Sequence, residues 1–203
     1  EKPPRVVPRS TVLRLASEQP ATEMGMRNRA LLFVLLETGM LVTEALALKQ
    51  SDCTFLDTSA TLTLSGKRAR SVTISELAAK HLLALIEALQ KHAYLGSQNA
   101  RYLFYGYSRK GPLSTRMTAR GAEIIFKAWS RQLKLKYFHP RTLRHLYVLD
   151  ALSSGKTESE IMAQLALRTP YAFRVYRELF ERECKSTGNL PIKYQSLRRE
   201  SSL

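Results

Sequence analysis

Residues 138–145, with the sequence FHPRTLRH, hold the side chains best suited to chemistry. Pro140 predicts the start of a helix, because proline suits the first helical position. Arg141 and Arg144 lie three residues apart and so share a face of that helix, with His145 in the same turn. A guanidinium offers paired N–H donors that match phosphate oxygens. The segment therefore predicts a phosphate site, with a solvent-facing basic helix start as the alternative.

The charge balance points to the same kind of ligand. The chain has 32 Lys and Arg against 17 Asp and Glu, which gives a net charge of +15 and a pI near 10.1. A field of this sign attracts a polyanion and releases its counterions on contact. Nucleic acid is the predicted partner, and a basic surface without a nucleic-acid partner is the alternative.

Length and composition limit the class of protein. A chain of 203 residues with 44% hydrophobic residues suits one globular domain, with a second small one possible. Its longest apolar run, residues 30–36, is far shorter than the roughly 20 residues of a membrane span. Two distant cysteines predict neither a disulfide nor a metal site, and no cofactor is expected. We expect a cytoplasmic, nucleoid-associated protein without membrane contact.

The hydrophobic pattern predicts the elements that must position the basic residues. Residues 1–9 are proline-rich and predict an extended arm or linker, followed by a short helix that Ser10 caps. Residues 27–37 predict a buried helix that ends at Gly39. Further helices are predicted over residues 42–49, 75–91, 115–133, 140–153, 157–167 and 169–184.

Short β-branched runs interrupt this helical pattern. Residues 54–56, 60–64 and 71–74 predict three small antiparallel strands, and residues 102–107 a short extended piece before a turn at residues 110–112. The predicted fold class is mainly α with a small three-stranded antiparallel β-sheet. We expect one domain over residues 10–186 and a basic C-terminal tail over residues 187–203.

Four ordered motifs resemble those of the tyrosine recombinases and phage integrases, in particular the Xer-like catalytic domain. RTLRHLYVLDAL, from residue 141, resembles the HxLRH box, and TGMLVTEALALKQSD, from residue 38, resembles TGLRxxELLxLxxxD. LSGKRARSVTIS, residues 64–75, resembles the turn with the active-site lysine. LALRTPYAFRVY, residues 165–176, resembles the LGHxxxxTTxxY ending. The resemblance covers about residues 10–184 and implies the fold of that catalytic domain.

The resemblance also implies roles for five residues. Tyr176, 32 residues after Arg144, matches the nucleophile that attacks a phosphodiester and forms a 3′-phosphotyrosyl link. Arg144 matches the second of two phosphate-clamping arginines. Lys67 matches the general acid for the leaving 5′-oxygen. Arg141 takes the place of the first residue of the box, and His145 matches the residue after its arginine.

Two positions depart from the family pattern. Leu41 stands at the first arginine of TGLR, and Leu167 at the histidine of LGH. A leucine cannot donate a hydrogen bond, and losing one pre-organised donor costs about 10²- to 10³-fold in rate. We therefore predict an incomplete catalytic set in a protein that binds double-stranded DNA and acts in or regulates recombination or integration.

Other interpretations of these residues remain open at the sequence level. In one alternative the enzyme is active, with His139, Arg168 or Arg174 in the two gaps. In another the chain is an unrelated basic helical module that binds RNA or protein. Tyr176 has the further option of packing beside neighbouring phenylalanines.

Further basic residues are predicted to contact DNA or to form a solvated face. These are Arg116, Arg120 and Lys127 on the predicted helix 115–133, with Arg168 and Arg174 near Tyr176. Glu44 is expected to pair with a nearby base or to cap its helix. The tail, through Leu190, Ile192 and Leu197, is predicted to dock on a surface and drive self-association, with a disordered basic tail as the alternative.

Overall fold

The structure, a computed structural model, describes residues 6–97 and 100–187. Helices dominate these residues, and two small antiparallel sheets complete them, which confirms the predicted fold class. The elements in chain order are α1 (Arg9–Ser17), α2 (Glu23–Thr38), α3 (Val42–Ala45), β1 (Cys53–Leu56), β2 (Ser59–Leu64), β3 (Arg70–Ser75), α4 (Glu76–Gln90), β4 (Tyr105–Ser108), β5 (Gly111–Arg116), α5 (Ala119–Gln132), α6 (Pro140–Ser153), α7 (Glu158–Gln164) and α8 (Pro170–Thr187).

The three predicted strands form one antiparallel sheet in the order β1-β2-β3. Leu62 of β2 lies opposite Cys53 of β1 and Val72 of β3. Alternate residues of β2 and β3 are buried, as the two-residue period of a half-buried sheet requires. The buried face packs against α4 and α2, and this fixes the β2–β3 hairpin that carries Lys67.

Helix α2 forms the centre of the larger hydrophobic core. It is apolar around its circumference and packs against α1, α4, α6 and β3. Thr22 caps its start by accepting a hydrogen bond from the Gly25 amide, and Gly39 ends it in the left-handed conformation, as the sequence predicted. The end of α2 therefore has a fixed place, and the Gly39 carbonyl with it.

Gly39→Ala is expected to destabilise the fold by about 2–4 kcal/mol, because a Cβ combines backbone strain with overpacking. Gly39 has φ +61°, and a Cβ there would come within 2.5 Å of the Tyr147 ring and 2.8 Å of Leu165 Cδ2. Urea denaturation measures the effect. Gly66→Ala is the matched control, since Gly66 has φ +86° but no described atom within 4 Å of its Cβ position. Equal losses in both variants would contradict the packing argument.

Helix α6 joins two hydrophobic clusters. Leu143 and Leu146 belong to the large cluster around α2, α4 and the three-stranded sheet. Residues from Tyr147 onward belong to a second cluster, which α7 and α8 complete. The helix that carries the LRH sequence therefore lies between the body of the domain and the helix that carries Tyr176.

The structure corrects the prediction for residues 102–118. A second hairpin, β4–β5, extends to Arg116, where a helix was predicted from Thr115. Helix α5 begins four residues later, at Ala119, where the Thr118 side chain accepts from the Gly121 amide. Thr115 and Arg116 permit a helix locally, and the pairing of Arg116 with Tyr105 of β4 decides otherwise. Arg116 consequently lies on a strand and not on the helix of Arg120 and Lys127.

Smaller differences concern element ends. Helix α1 begins at Arg9 rather than Ser10, and Val7, in the predicted arm, is buried in the core. The predicted helical segment 42–49 is shorter, since α3 ends at Ala45. The predicted docking residues of the tail, from Leu190 to Leu197, lie outside the described residues.

Candidate active site

Arg144 is the buried centre of the candidate site. It lies on α6 and is 6% exposed. Its Nε donates to the Tyr176 hydroxyl at 3.0 Å, Nη1 to the Gly39 carbonyl at 2.6 Å and Nη2 to the Leu165 carbonyl at 3.2 Å. Among the described residues, these acceptors engage three of the five guanidinium N–H groups. One side chain thus holds together the ends of α2 and α7 and the middle of α8, and two of its N–H groups remain for other acceptors.

Tyr176 meets Arg144 although 32 residues separate them in the chain. The tyrosine is 9% exposed, and its ring packs against His145 at 5.7 Å and Phe173 at 5.6 Å between centroids. Its hydroxyl accepts from the guanidinium, so a positive charge lies beside this oxygen. The packing predicted for this tyrosine and its pairing with Arg144 therefore occur together.

The first turn of α6 adds imidazole and guanidinium groups. His139 precedes the helix and is exposed, Arg141 is exposed in the first turn, and His145 is half-buried. Burial, with the charges of His139, Arg141 and Arg144, lowers the pKa of His145 to about 4. Burial and Arg141 also lower the pKa of His139. Both imidazoles are therefore neutral near pH 7, so each offers one donor and one acceptor nitrogen.

Lys67 lies in the exposed turn Gly66–Arg68 between β2 and β3. The residue that ties this hairpin to the site is Arg70, which sequence reasoning did not select. Its Nε donates to the Gln164 carbonyl at 2.6 Å, next to the Leu165 carbonyl that Arg144 binds. A basic residue at a strand start is a signal of pairing, but one sequence does not reveal its partner.

Glu44 is that partner and fulfils both expected roles. Its carboxylate accepts from Arg70 Nη1 at 3.0 Å and Nη2 at 2.9 Å, and from the Leu41 amide at 2.8 Å. Burial alone would raise the pKa of Glu44, but the hydrogen bonds from Arg70 and Leu41 and the charges of Arg70 and Arg144 hold that pKa below its usual value. The carboxylate is thus ionised at neutral pH.

The two apolar departures lie in the turns that hold Arg144. Leu41 is half-buried and follows Gly39 by two residues, while Leu167 follows Leu165 by two and packs on the second cluster. Ala166, at the glycine of the LGH pattern, adopts a positive φ of 50°, unusual for a residue with a Cβ. The two turns that hold Arg144 therefore carry hydrocarbon side chains at these positions.

The other basic residues named from the sequence lie on several elements. Arg120 and Lys127 are exposed on α5, and Arg116 lies over the Tyr102 ring at 5.5 Å. Arg168 is exposed before α8. Arg174 pairs with Glu178 at 3.3 Å. Residues two positions apart in a helix are separated by about 200° around its axis, so Arg174 and Tyr176 lie on opposite sides of α8. Arg174 is therefore poorly placed to fill a gap beside Arg144.

Comparison with known families identifies the chain. Residues 6–182 match the family model described as the phage integrase family. The chain belongs to the phage integrase family. This membership confirms the resemblance found in the four motifs, and the alternative of an unrelated helical module is wrong. The roles that the motifs imply for Arg144 and Tyr176 stay predictions.

Relatives in the integrase family include the tyrosine recombinase XerC of two bacilli. The Bacillus licheniformis protein is 30% identical over 137 residues, covering 66% of this chain and 43% of that protein. The Bacillus pumilus protein is 27% identical over 172 residues, covering 82% and 54%. This chain spans about half the length of these relatives.

Solved structures of recombinases share the fold. The XerH site-specific recombinase bound to a palindromic difH substrate has a TM-score of 0.72 and 18% identity, covering 92% of this chain and 53% of that one. The XerA recombinase has a TM-score of 0.73 and 21% identity, covering 94% of this chain and 66% of that one.

Within residues 6–97 and 100–187, the helices lack the length and apolar composition of a membrane span, and no cluster of three His, Cys, Asp or Glu side chains could hold a metal.

Proposed function

We propose that this integrase-family chain binds double-stranded DNA at the Arg144 site and is impaired in cutting it. One observation carries the proposal: Arg144 and Tyr176 are hydrogen-bonded at 3.0 Å, while the adjoining turns present Leu41 and Leu167. The site thus keeps a phosphate-binding centre and lacks two donors for the charge that develops during phosphoryl transfer. Loss of either donor costs about 10²- to 10³-fold in rate.

Two observations support duplex DNA as the ligand: the positive charge of this chain and the substrate bound in a structure of the same fold. The net charge is +15, and the basic side chains named on α5, on β5 and in the Lys67 turn are exposed. The XerH structure of the same fold was solved on its difH substrate. We place the protein in the cytoplasm on the nucleoid, acting in or regulating recombination or integration, with self-association through residues 187–203.

Each candidate residue has a defined task on a bound phosphate. The remaining N–H groups of Arg144 would bind non-bridging oxygens, with Arg141 and the His145 imidazole adding donors at the start of α6. Lys67 would contact the backbone from the hairpin turn. Contacts of this type position the duplex without reading its sequence.

A second candidate function is an active tyrosine recombinase. The Arg144–Tyr176 hydrogen bond favours it, because it holds the tyrosine oxygen beside the guanidinium that would bind the phosphate. The Tyr176 hydroxyl would give its proton to water as its oxygen bonds to phosphorus and the bond to the 5′-oxygen breaks, with Lys67 giving that 5′-oxygen a proton. The two candidates differ in whether a covalent adduct forms at a useful rate.

Arg120→Gln and Lys127→Gln are each expected to weaken duplex binding about eightfold near 0.1 M salt and to lower the salt slope by about 0.9. Each substitution removes one phosphate contact, so one counterion fewer is released when the duplex binds. Fluorescence anisotropy against a mixed-sequence duplex and a matched RNA duplex, over a salt series, measures both quantities.

Lys80→Gln is the matched control for this experiment, because Lys80 lies on α4, outside the proposed DNA contacts, and like Arg120 it pairs with a glutamate of its own helix. Its affinity and salt slope should equal those of the unaltered chain. Binding without a salt slope, or equal binding to RNA and DNA duplexes, would overturn the proposal that the chain binds DNA.

A further inference from the structure

Arg70 and Glu44 form a partly buried ion pair at the edge of the candidate site. Their side chains are 9% and 14% exposed, and the two guanidinium Nη atoms meet the two carboxylate oxygens at 3.0 and 2.9 Å. Arg70 also donates to the carbonyls of Arg68, at 3.0 Å, and Gln164, at 2.6 Å. Four of its five N–H donors are thus engaged, so Arg70 is poorly suited to bind a phosphate itself.

The pair joins three segments that carry the candidate residues. The Arg68 carbonyl belongs to the turn of Lys67. Glu44 accepts from the amide of Leu41, in the turn that follows Gly39. Gln164 adjoins Leu165, which accepts from Arg144. A single ionic contact therefore connects the hairpin turn to both backbone turns around Arg144.

The turn itself is held by its own backbone and by Arg70: within it, the Ala69 amide donates to the Gly66 carbonyl at 3.1 Å. Residues 65–69 are all exposed, and a Cβ at Gly66 would meet no described atom within 4 Å. The strands fix the two ends of the turn, and the bond from Arg70 to the Arg68 carbonyl reaches into it. The direction of Lys67 thus depends on where the Arg70 guanidinium is held.

We propose that Arg70 and Glu44 are positioning residues that aim the Lys67 turn at DNA bound on the Arg144 site, an inference that rests on the proposed function. Glu44 anchors the guanidinium, and the guanidinium anchors the turn. Without the carboxylate, the Arg70 guanidinium loses its anchor, and Lys67 loses its fixed place. In this proposal the Glu44 carboxylate strengthens DNA binding, which is the reverse of the usual effect of a negative charge.

A double-mutant cycle between Glu44→Gln and Lys67→Ala tests this coupling on the full chain. In the unaltered chain, Lys67→Ala should weaken binding to a labelled mixed-sequence duplex about eightfold near 0.1 M salt, the value of one phosphate contact. In the Glu44→Gln background the same change should alter the affinity less than about twofold, since the contact is already lost. The salt slope should fall by about 0.9 with Glu44→Gln alone, although the protein gains positive charge.

Glu87→Gln is the control, an identical change at an exposed residue of α4, and should not lower the slope or the affinity. If thermal unfolding shows that Glu44→Gln does not fold, Arg70→Lys replaces it with the same expectation, because lysine keeps the charge but not the forked contacts. An eightfold loss in both backgrounds, or no loss from Lys67→Ala in the unaltered chain, would overturn the positioning role. Absence of duplex binding by the unaltered chain would instead refute the proposed function.

Discussion

Leu41→Arg combined with Leu167→His is expected to increase covalent adduct formation on duplex DNA at least about 100-fold, the contribution of one restored donor. The substrate is a nicked suicide duplex, whose short leaving strand diffuses away and traps the protein on the DNA. Adduct is measured over time as a shifted band on a denaturing gel. Either single change should give a smaller increase than the pair.

The expected effect follows from the turns around Arg144. Leu41 and Leu167 each lie two residues beyond a carbonyl that Arg144 binds, so both positions adjoin the phosphate site. Leu41 is half-buried, which leaves its side chain a route to the surface. Donors at these positions would meet the charge that develops on the non-bridging oxygens in the transition state.

Leu56→Arg combined with Leu77→His is the matched control, because these leucines are 59% and 52% exposed and lie outside the site. Tyr176→Phe in the restored background should abolish the adduct. Adduct formation by the unaltered chain at the rate of the restored variant would instead support the active recombinase. A folded restored variant that forms no adduct would show that these two leucines do not limit cleavage.

The sequence predicted the elements around the site where local signals agree. Helix α6 has the predicted bounds, since Pro140 starts it and the apolar pattern continues to Ser153. Gly39 ends α2 as predicted, because the left-handed cap suits glycine. The contact between Arg144 and Tyr176 was expected from the order of the motifs. The spacing of the two residues alone would not have predicted it.

The sequence failed where pairing with another segment decides the conformation. The last two residues of strand β5, 115 and 116, lie within the segment predicted as a helix, and pairing with β4 fixes them. Arg70 went unnoticed because its carboxylate partner lies 26 residues earlier in the chain and its carbonyl partner 94 residues later. Such contacts depend on the assembled fold, and a single sequence records only one side of each.

Arg144 has a structural as well as a phosphate-binding part in this fold. Its three acceptors lie at the end of α2, at the end of α7 and in α8, and α2 otherwise meets the other two helices mainly through α6. The guanidinium is charged, so each of these hydrogen bonds is stronger than a neutral one. A loss of DNA binding on substitution of Arg144 therefore needs a measurement of stability beside it.

Arg144→Met is expected to lower the free energy of unfolding by about 3–5 kcal/mol, because it leaves buried acceptors without a donor. Methionine has a similar length, so the loss comes from the unpaired Gly39 and Leu165 carbonyls and the Tyr176 hydroxyl, measured by urea denaturation. Arg120→Met, the same change at an exposed α5 residue, should stay within about 0.5 kcal/mol of the unaltered chain. Equal stability of the two variants would mean that water satisfies these acceptors and that Arg144 serves the ligand alone.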